Sequence, residues 1–136
     1  MTRRRVLIAT ALMMSMLLCA VAAAPWVLYW KGLSEIEGRP TPATHAATTE
    51  QIDGMLKKLR LTQSVQIRPS SPYSYLLQGG ANDPSARVAW VVARAYNVQH
   101  LSNRRFWHLS GAALTVWLTR NWTPSELITA AAQLNY

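Results

Sequence analysis

Cysteine is almost missing from this 136-residue chain: Cys19 is the single one. No intrachain disulfide can form, so any folded part must hold together by packing. Carboxylates are scarce too, with six Asp and Glu against 14 Lys and Arg and a net charge of +8. From Asp83 to the C-terminus only Asp83 and Glu126 are acidic. Sugar hydrolysis by paired carboxylates needs two acids facing one bond, and both of these occupy helix-capping positions. A Gly-x-Ser-x-Gly turn is absent and no histidine is paired with an acid, which removes a serine triad. His100 and His108 stand eight apart with no carboxylate within helical reach, and His45 falls in a spacer. Neither a metal centre nor a cofactor is expected from that ligand set. Internal repeats and low-complexity tracts are also lacking.

Apolar residues, by contrast, are concentrated at the start. After "TRRR" at residues 2–5, the run from Val6 to Trp30 contains only Thr10 and Ser15 as clearly polar residues. That exceeds the ~20 residues needed to cross a hydrocarbon layer. Trp26, Tyr29 and Trp30 form an aromatic belt at its far end, followed by the cation Lys31. Arg3, Arg4 and Arg5 favour a cytoplasmic N-terminus and an outward C-terminus. "AVAAAP" also carries the small-residue pattern of a signal cleavage site, so secretion after cleavage is the alternative. Pro25 just past the cut and the apolar "WVLYW" beyond it favour a retained anchor. "TRRRVL" resembles a twin-arginine export signal, and "MLLC" resembles a lipoprotein box only loosely, because Leu18 is too large before Cys19.

The organisation expected is a basic cytoplasmic start at 1–5, an anchor at 6–30, a linker at 31–47 and a small domain at 48–136. The linker, "KGLSEIEGRPTPATHAA", is rich in Gly, Pro, Thr and Ala and reads as an extended spacer lifting the domain off the bilayer. Thr48 and Gln51 make a capping box for a helix running to about Arg60, with Ile52, Met55, Leu56 and Leu59 on one face. "TQSVQIRP" alternates in the manner of a short strand near 62–68. "SSPYSYLLQGGANDP" reads as a loop, with Gly79 and Gly80 free to adopt special backbone angles.

Asp83 caps a helix with Pro84 in its first turn, burying Val88, Val91, Val92 and Tyr96. The next helix runs from about Ser102 to Arg120 and buries Phe106, Leu109, Ala113, Val116 and Trp117. Gly111 in its middle costs ~1 kcal/mol relative to alanine, which points to a close neighbour or a lost side chain. "TPSE" then places Thr123, Pro124 and Glu126 as cap, first residue and box for a last helix through Leu134. The fold class expected is mainly α, with a transmembrane helix, a small helix-rich domain and at most one short strand or hairpin.

From Lys31 onward 11 basic and 6 acidic residues leave a net charge of +5. Such a field attracts anionic headgroups or pyrophosphates, by roughly 1 kcal/mol per Lys or Arg at a membrane surface. Nucleic acid would feel the same pull, but a chain tethered outside the cytoplasm does not meet it. The candidate phosphate-binding residues are Arg87, Arg94, Arg104, Arg105 and Arg120, with Trp107 and Trp122 as candidate contacts to lipid or a partner helix. Trp90 and Trp117 are at helical spacing and belong in the core.

"GAALTVWLTRNWTPSELITAAAQLNY" resembles a segment of the family 51 peptidoglycan glycosyltransferases, where a Glu-Ala-Leu-Leu-Ala-x-x-Leu-Glu-Arg helix precedes Tyr-Ser-Lys-x-Glu-Ile-Leu and Tyr-Leu-Asn. Leu118 and Arg120 match, Trp122 stands for the tyrosine, Thr123 for the serine, Glu126 for the acid, and Leu134 with Asn135 for Leu-Asn. More weakly, Gln78 to Gly80 resemble the start of the family's Gln-Gly-Gly-Ser-Thr-Ile-Thr-Gln-Gln loop, and Val91 to Asn97 its Gln-Gln-Leu-Ala-Lys-Asn run. The resemblance spans residues 78–136 and implies a single-anchor enzyme polymerising lipid II outside the cytoplasmic membrane.

The departures fall on the chemistry. Gly111 and Thr119 stand where the family has glutamates, Trp107 and His108 replace its Arg-Lys pair, and "ANDPSA" replaces Ser-Thr-Ile-Thr-Gln-Gln. The Glu-Asp-x-x-Phe motif supplying the family's general base is absent, and glycosyl transfer requires a base on the attacking hydroxyl. The expected function is therefore that of a non-catalytic accessory or interaction protein of the bacterial cell envelope, in the inner membrane with its domain in the periplasm. Its partners would be the membrane and either lipid II or another envelope protein. A peptidoglycan glycosyltransferase and a structural subunit of an envelope complex are the alternatives.

Overall fold

A computed structural model of the chain describes residues 2–62, 65–80 and 82–134. It is mainly helical: α1 Thr2–Ser34, α2 Thr49–Lys58, α3 Pro72–Gln78, α4 Pro84–His100, a 3₁₀ turn Arg104–Phe106, α5 Trp107–Asn121 and α6 Pro124–Gln133. The caps read from sequence form as expected. Thr48 and Gln51 close a box on α2, Asp83 accepts from the Ser85 N–H at the start of α4, and Thr123 and Glu126 close a box on α6. α2 stops at Lys58 rather than Arg60. The Leu61 N–H reaches Leu56 O (2.8 Å) and the Arg60 N–H reaches Lys57 O (3.1 Å), with Arg60 left-handed at φ 54°. Those two bonds are a Schellman motif with arginine in the position usually held by glycine.

α5 is the centre of the domain, packed against α1, α3, α4 and α6. Its expected one-sided burial is therefore too narrow. Ser110, Gly111, Leu114, Thr115, Leu118 and Thr119 are buried along with Ala113 and Val116, whereas Phe106, Leu109 and Trp117 are only half-buried. A helix with neighbours on most sides is covered on most sides, and its amphipathic pattern fades accordingly. The main core joins Val88, Val91 and Val92 of α4 to Leu114 and Leu118 of α5, Leu127 and Ala131 of α6, and Met55 and Leu56 of α2. A second cluster joins Tyr29 and Leu33 of α1 to Ala113 and Val116 of α5.

The expected linker starts later than residue 31 and ends, as expected, before the Thr48 cap. α1 runs on to Ser34, and Leu33 and Ile36 are buried. Ile36 forms an isolated antiparallel bridge with Leu101, with the Glu37 N–H on His100 O (3.0 Å) and the Ser102 N–H on Glu35 O (2.9 Å). The rest of the spacer folds back over the domain rather than lifting it away. Tyr96 Oη donates to Glu37 O (2.9 Å), the Arg39 guanidinium stacks 5.9 Å from the Trp117 ring centre, and Gln133 Nε2 donates to His45 O (2.6 Å). Prolines keep this stretch from being helical, and its contacts with Tyr96, Trp117 and Gln133 hold it against the domain.

No strand is present among the described residues, and Gln63 and Ser64 of the expected strand lie outside them. After them the Val65 N–H turns back to Thr62 O (3.2 Å), and two further backbone donors go to side chains: the Arg68 N–H to Ser85 Oγ (2.9 Å) and the Ser70 N–H to Thr119 Oγ1 (3.0 Å). The expected loop after residue 70 contains α3, capped by a Ser71–Ser74 box with Pro72 in its first turn and ended by Gly79 at φ +67°.

Candidate functional site

α1 and α5 run antiparallel, so the domain has a proximal end near Trp26 and Arg120, next to the long apolar part of α1, and a distal end near Ser34 and the 3₁₀ turn. Arg120 Cζ lies 5.8 Å from the Trp26 ring centre, while Lys31 Nζ lies 4.8 Å from that of Phe106. Of the five candidate arginines, Arg120 lies at the first end, Arg104 and Arg105 at the second, and Arg87 and Arg94 on α4. Arg105 and Arg120 are separated by most of α5, about 22 Å at 1.5 Å per residue. They do not form one phosphate site.

Each arginine has its own setting. Arg87 is half-buried and donates from Nη1 to Leu59 O (2.8 Å), its buried Nε having no partner among the described residues. A cation on the closing carbonyls of α2 is favoured by that helix's dipole, so Arg87 clamps α4 to α2. Arg94 is exposed two turns further along α4. Arg120 donates to Ser70 O (3.4 Å) besides its contact with Trp26. Arg104 and Arg105 are exposed at the distal end.

The tryptophans divide in the same way. Trp122 is 8 % exposed and part of the main core, which corrects its expected place at an interface. Trp90 and Trp117 are half-buried against the core, as packing at helical spacing requires. In the expected belt, Trp30 is exposed, but Tyr29 is buried against α5 and Trp26 is half-buried, edge-on to Tyr29 at 5.8 Å. Only part of the belt faces outward, because α5 covers the other side of α1.

Arg104 and Trp107 do come together. With Asn97, Val98 and Leu101 they line an open distal cleft of about 380 Å³. Its floor is held by Asn97, fully buried, whose Nδ2 donates to Trp107 O (3.1 Å) and whose Oδ1 accepts from Ser110 Oγ (3.1 Å). That amide fixes the turn between α4 and α5, so the cleft has a rigid base. Above it Val98 is 66 % exposed beside a cationic rim. An apolar contact next to an arginine suits a partner side chain or headgroup that pairs an apolar body with an anionic end. Sequence patterning had missed Val98 and Asn97. A valine on the polar side of an otherwise amphipathic helix was the available signal.

A second, polar cleft of about 560 Å³ lies among Gln66, Arg68, Ser70, Gln78, Asp83 and Ser85. Its polar groups are largely spent on each other. Asp83 Oδ1 accepts from the Ser85 N–H (2.9 Å) and Oδ2 from Ser70 Oγ (2.9 Å). Glu126 accepts from the Thr123 N–H (2.7 Å) and hydroxyl (2.9 Å), bonds that hold its carboxyl below the ordinary glutamate range. Both carboxylates of the segment from 83 on are thus committed to helix starts.

The positions aligned with glutamates in the glycosyltransferase likeness point inward. Gly111 is buried against Trp90, where an added Cβ would come within 2.7 Å of the ring. Thr119 is buried, donates to Val116 O (2.9 Å) and accepts from the Ser70 N–H. Asn135 lies outside the described residues. Among the described residues no group of three His, Cys, Asp or Glu is placed to hold a metal ion. α1 is long and apolar enough to cross a membrane, a description that a signal sequence also meets. No protein-family model, characterised protein or solved structure matches the chain.

Proposed function

We propose that the protein is a non-catalytic accessory or interaction module of the bacterial cell envelope, held in the inner membrane by α1 with its domain in the periplasm. The observation that carries this reading is the distal cleft: Arg104, Trp107 and Val98 are gathered, partly exposed, at the end of the domain away from the belt. Nine residue steps of helix separate Trp26 from Glu35, a rise of about 13 Å. The headgroup layer takes up about 5–8 Å of that height, so Arg104 and Arg105 stand at about one Debye length, ~8 Å, above the lipid surface. They face outward and suit an acidic patch on another envelope protein, while the pyrophosphate of a lipid-linked sugar, lying at headgroup level, is at the edge of their electrostatic reach.

The likeness to lipid II polymerases enters as a relic of sequence rather than of chemistry. Asp83 and Glu126 are occupied as caps, and the sites of the missing glutamates are filled by the packing of Trp90 and by Thr119. Purified full-length protein in nanodiscs with labelled lipid II tests this directly. No polymer is expected, with at most stoichiometric binding that weakens in Arg104→Ala/Arg105→Ala. Polymer that disappears on Glu126→Gln would establish the glycosyltransferase instead.

A further inference from the structure

We propose that α3 is a second membrane contact: a short uncharged foot resting in the headgroup–acyl boundary beside the anchor. The inference rests on α1 spanning the bilayer. Helix geometry gives the height. From Arg5 to Trp26 an α-helix rises about 31 Å, matching a hydrocarbon core of ~30 Å. With Arg5 at the inner interface, the outer boundary therefore falls at Pro25–Trp26.

α3 packs on α1 at that level. Pro72, Tyr75 and Leu76 close an apolar crevice with Pro25, Leu28 and Tyr29 of α1 and Val116 of α5. Away from that crevice α3 is uncovered among the described residues: Leu77 is 85 % exposed and Tyr73 38 %, and Leu76 stays 58 % exposed at the crevice edge. These side chains continue the apolar surface of α1 sideways, next to Leu28, which is itself exposed. Charge is distributed accordingly. Residues 69–82 contain no Asp, Glu, Lys or Arg and are bounded by Arg68 and Asp83, while Arg120 lies beside Trp26 and within reach of Ser70 O. Apolar residues with a tyrosine at the boundary and an arginine at its edge are the distribution an interface selects.

The occupant is thus lipid, and the domain sits on the outer surface instead of hanging above it. Cys19→Ser provides a cysteine-free background in which an environment-sensitive fluorophore is attached at Leu77→Cys, Leu12→Cys or Gln99→Cys, each an exposed position. The full chain is reconstituted in vesicles carrying nitroxide-labelled lipids. The label at 77 is expected to lose most of its emission to a shallow nitroxide, the label at 12 to a deep one, and the label at 99 to neither. Quenching at 12 with the label at 77 as wet as that at 99 would overturn the foot and leave the anchor standing. Shielding at 77 that depends on protein density and not on lipid nitroxide would assign the face to a second copy and also overturn it. Absence of quenching at 12 would remove anchor and foot together.

Discussion

Single side chains show best how a residue's chemical type can mislead about its task. Glu126 could serve as an acid in the right setting, but here it closes the first turn of α6 through two bonds from Thr123. Those bonds favour the ionised form and depress its pKa from the ordinary 4.5. For a carboxyl lowered in the folded state, the stabilisation is complete above the unfolded value and is lost as pH falls through the folded one. Helical content and thermal unfolding followed from pH 7 to pH 3 should therefore show a loss at acid pH to which this group contributes. Glu126→Gln should reduce that pH dependence while remaining less stable at pH 7. An identical pH profile in the variant would deny Glu126 this role. Asp83 and Arg87 make the same point: one caps α4 and bonds Ser70, the other closes the end of α2.

Between elements, small residues set the approach of α1 to α5. An added Cβ on Gly32 would lie 2.6 Å from Leu109 O and 2.7 Å from Ala113 Cβ, so backbone would have to move. Alanine is the better helix former by ~1 kcal/mol, and overpacking costs about 1–3 kcal/mol. Because the obstructing atoms are mostly backbone, the second effect should win. Gly32→Ala is expected to lower the unfolding midpoint of the domain in detergent, and a raised midpoint would show that the two helices do not cross this closely. At Gly111 the obstruction is the rim of the Trp90 ring, a close neighbour of the kind its cost in mid-helix suggested.

Much of this level was legible in the sequence. Thr48, Asp83 and Thr123 identified three helix starts because capping is local chemistry. The end of α2 was misplaced by two residues because an arginine, not a glycine, took the left-handed position. α3 was missed because seven residues are too few for a periodic signal, although Ser71, Pro72 and Ser74 carried its cap. The strand and the free spacer were misread for a non-local reason. Partners of residues 65–70 lie on α4 and α5, and those of residues 36–45 on α1, α4, α5, α6 and the turn after α4.

At the scale of the whole molecule, one continuous α1 joins a potential membrane span to the core of the domain through Tyr29 and Leu33. That continuity divides the surface into two ends. The anchor-proximal end presents α3 and Arg120, and the distal end presents the cleft of Arg104, Trp107 and Val98. Composition had put five arginines into one anion-binding set, because a sequence gives charge without position. The fold leaves Arg104 with Trp107 in a cleft and assigns Arg87 to packing. The proposed interaction function places recognition at the distal end and not over the surface at large. The direct measurement is photocrosslinking in growing cells with a photoreactive amino acid at Val98, with Lys58, exposed on α2, as the control position. A discrete adduct with one envelope component is expected from position 98 alone, lost when Arg104→Glu is added. No adduct at 98, or the same adducts from 58 and 98 regardless of Arg104, would contradict a partner-binding distal cleft.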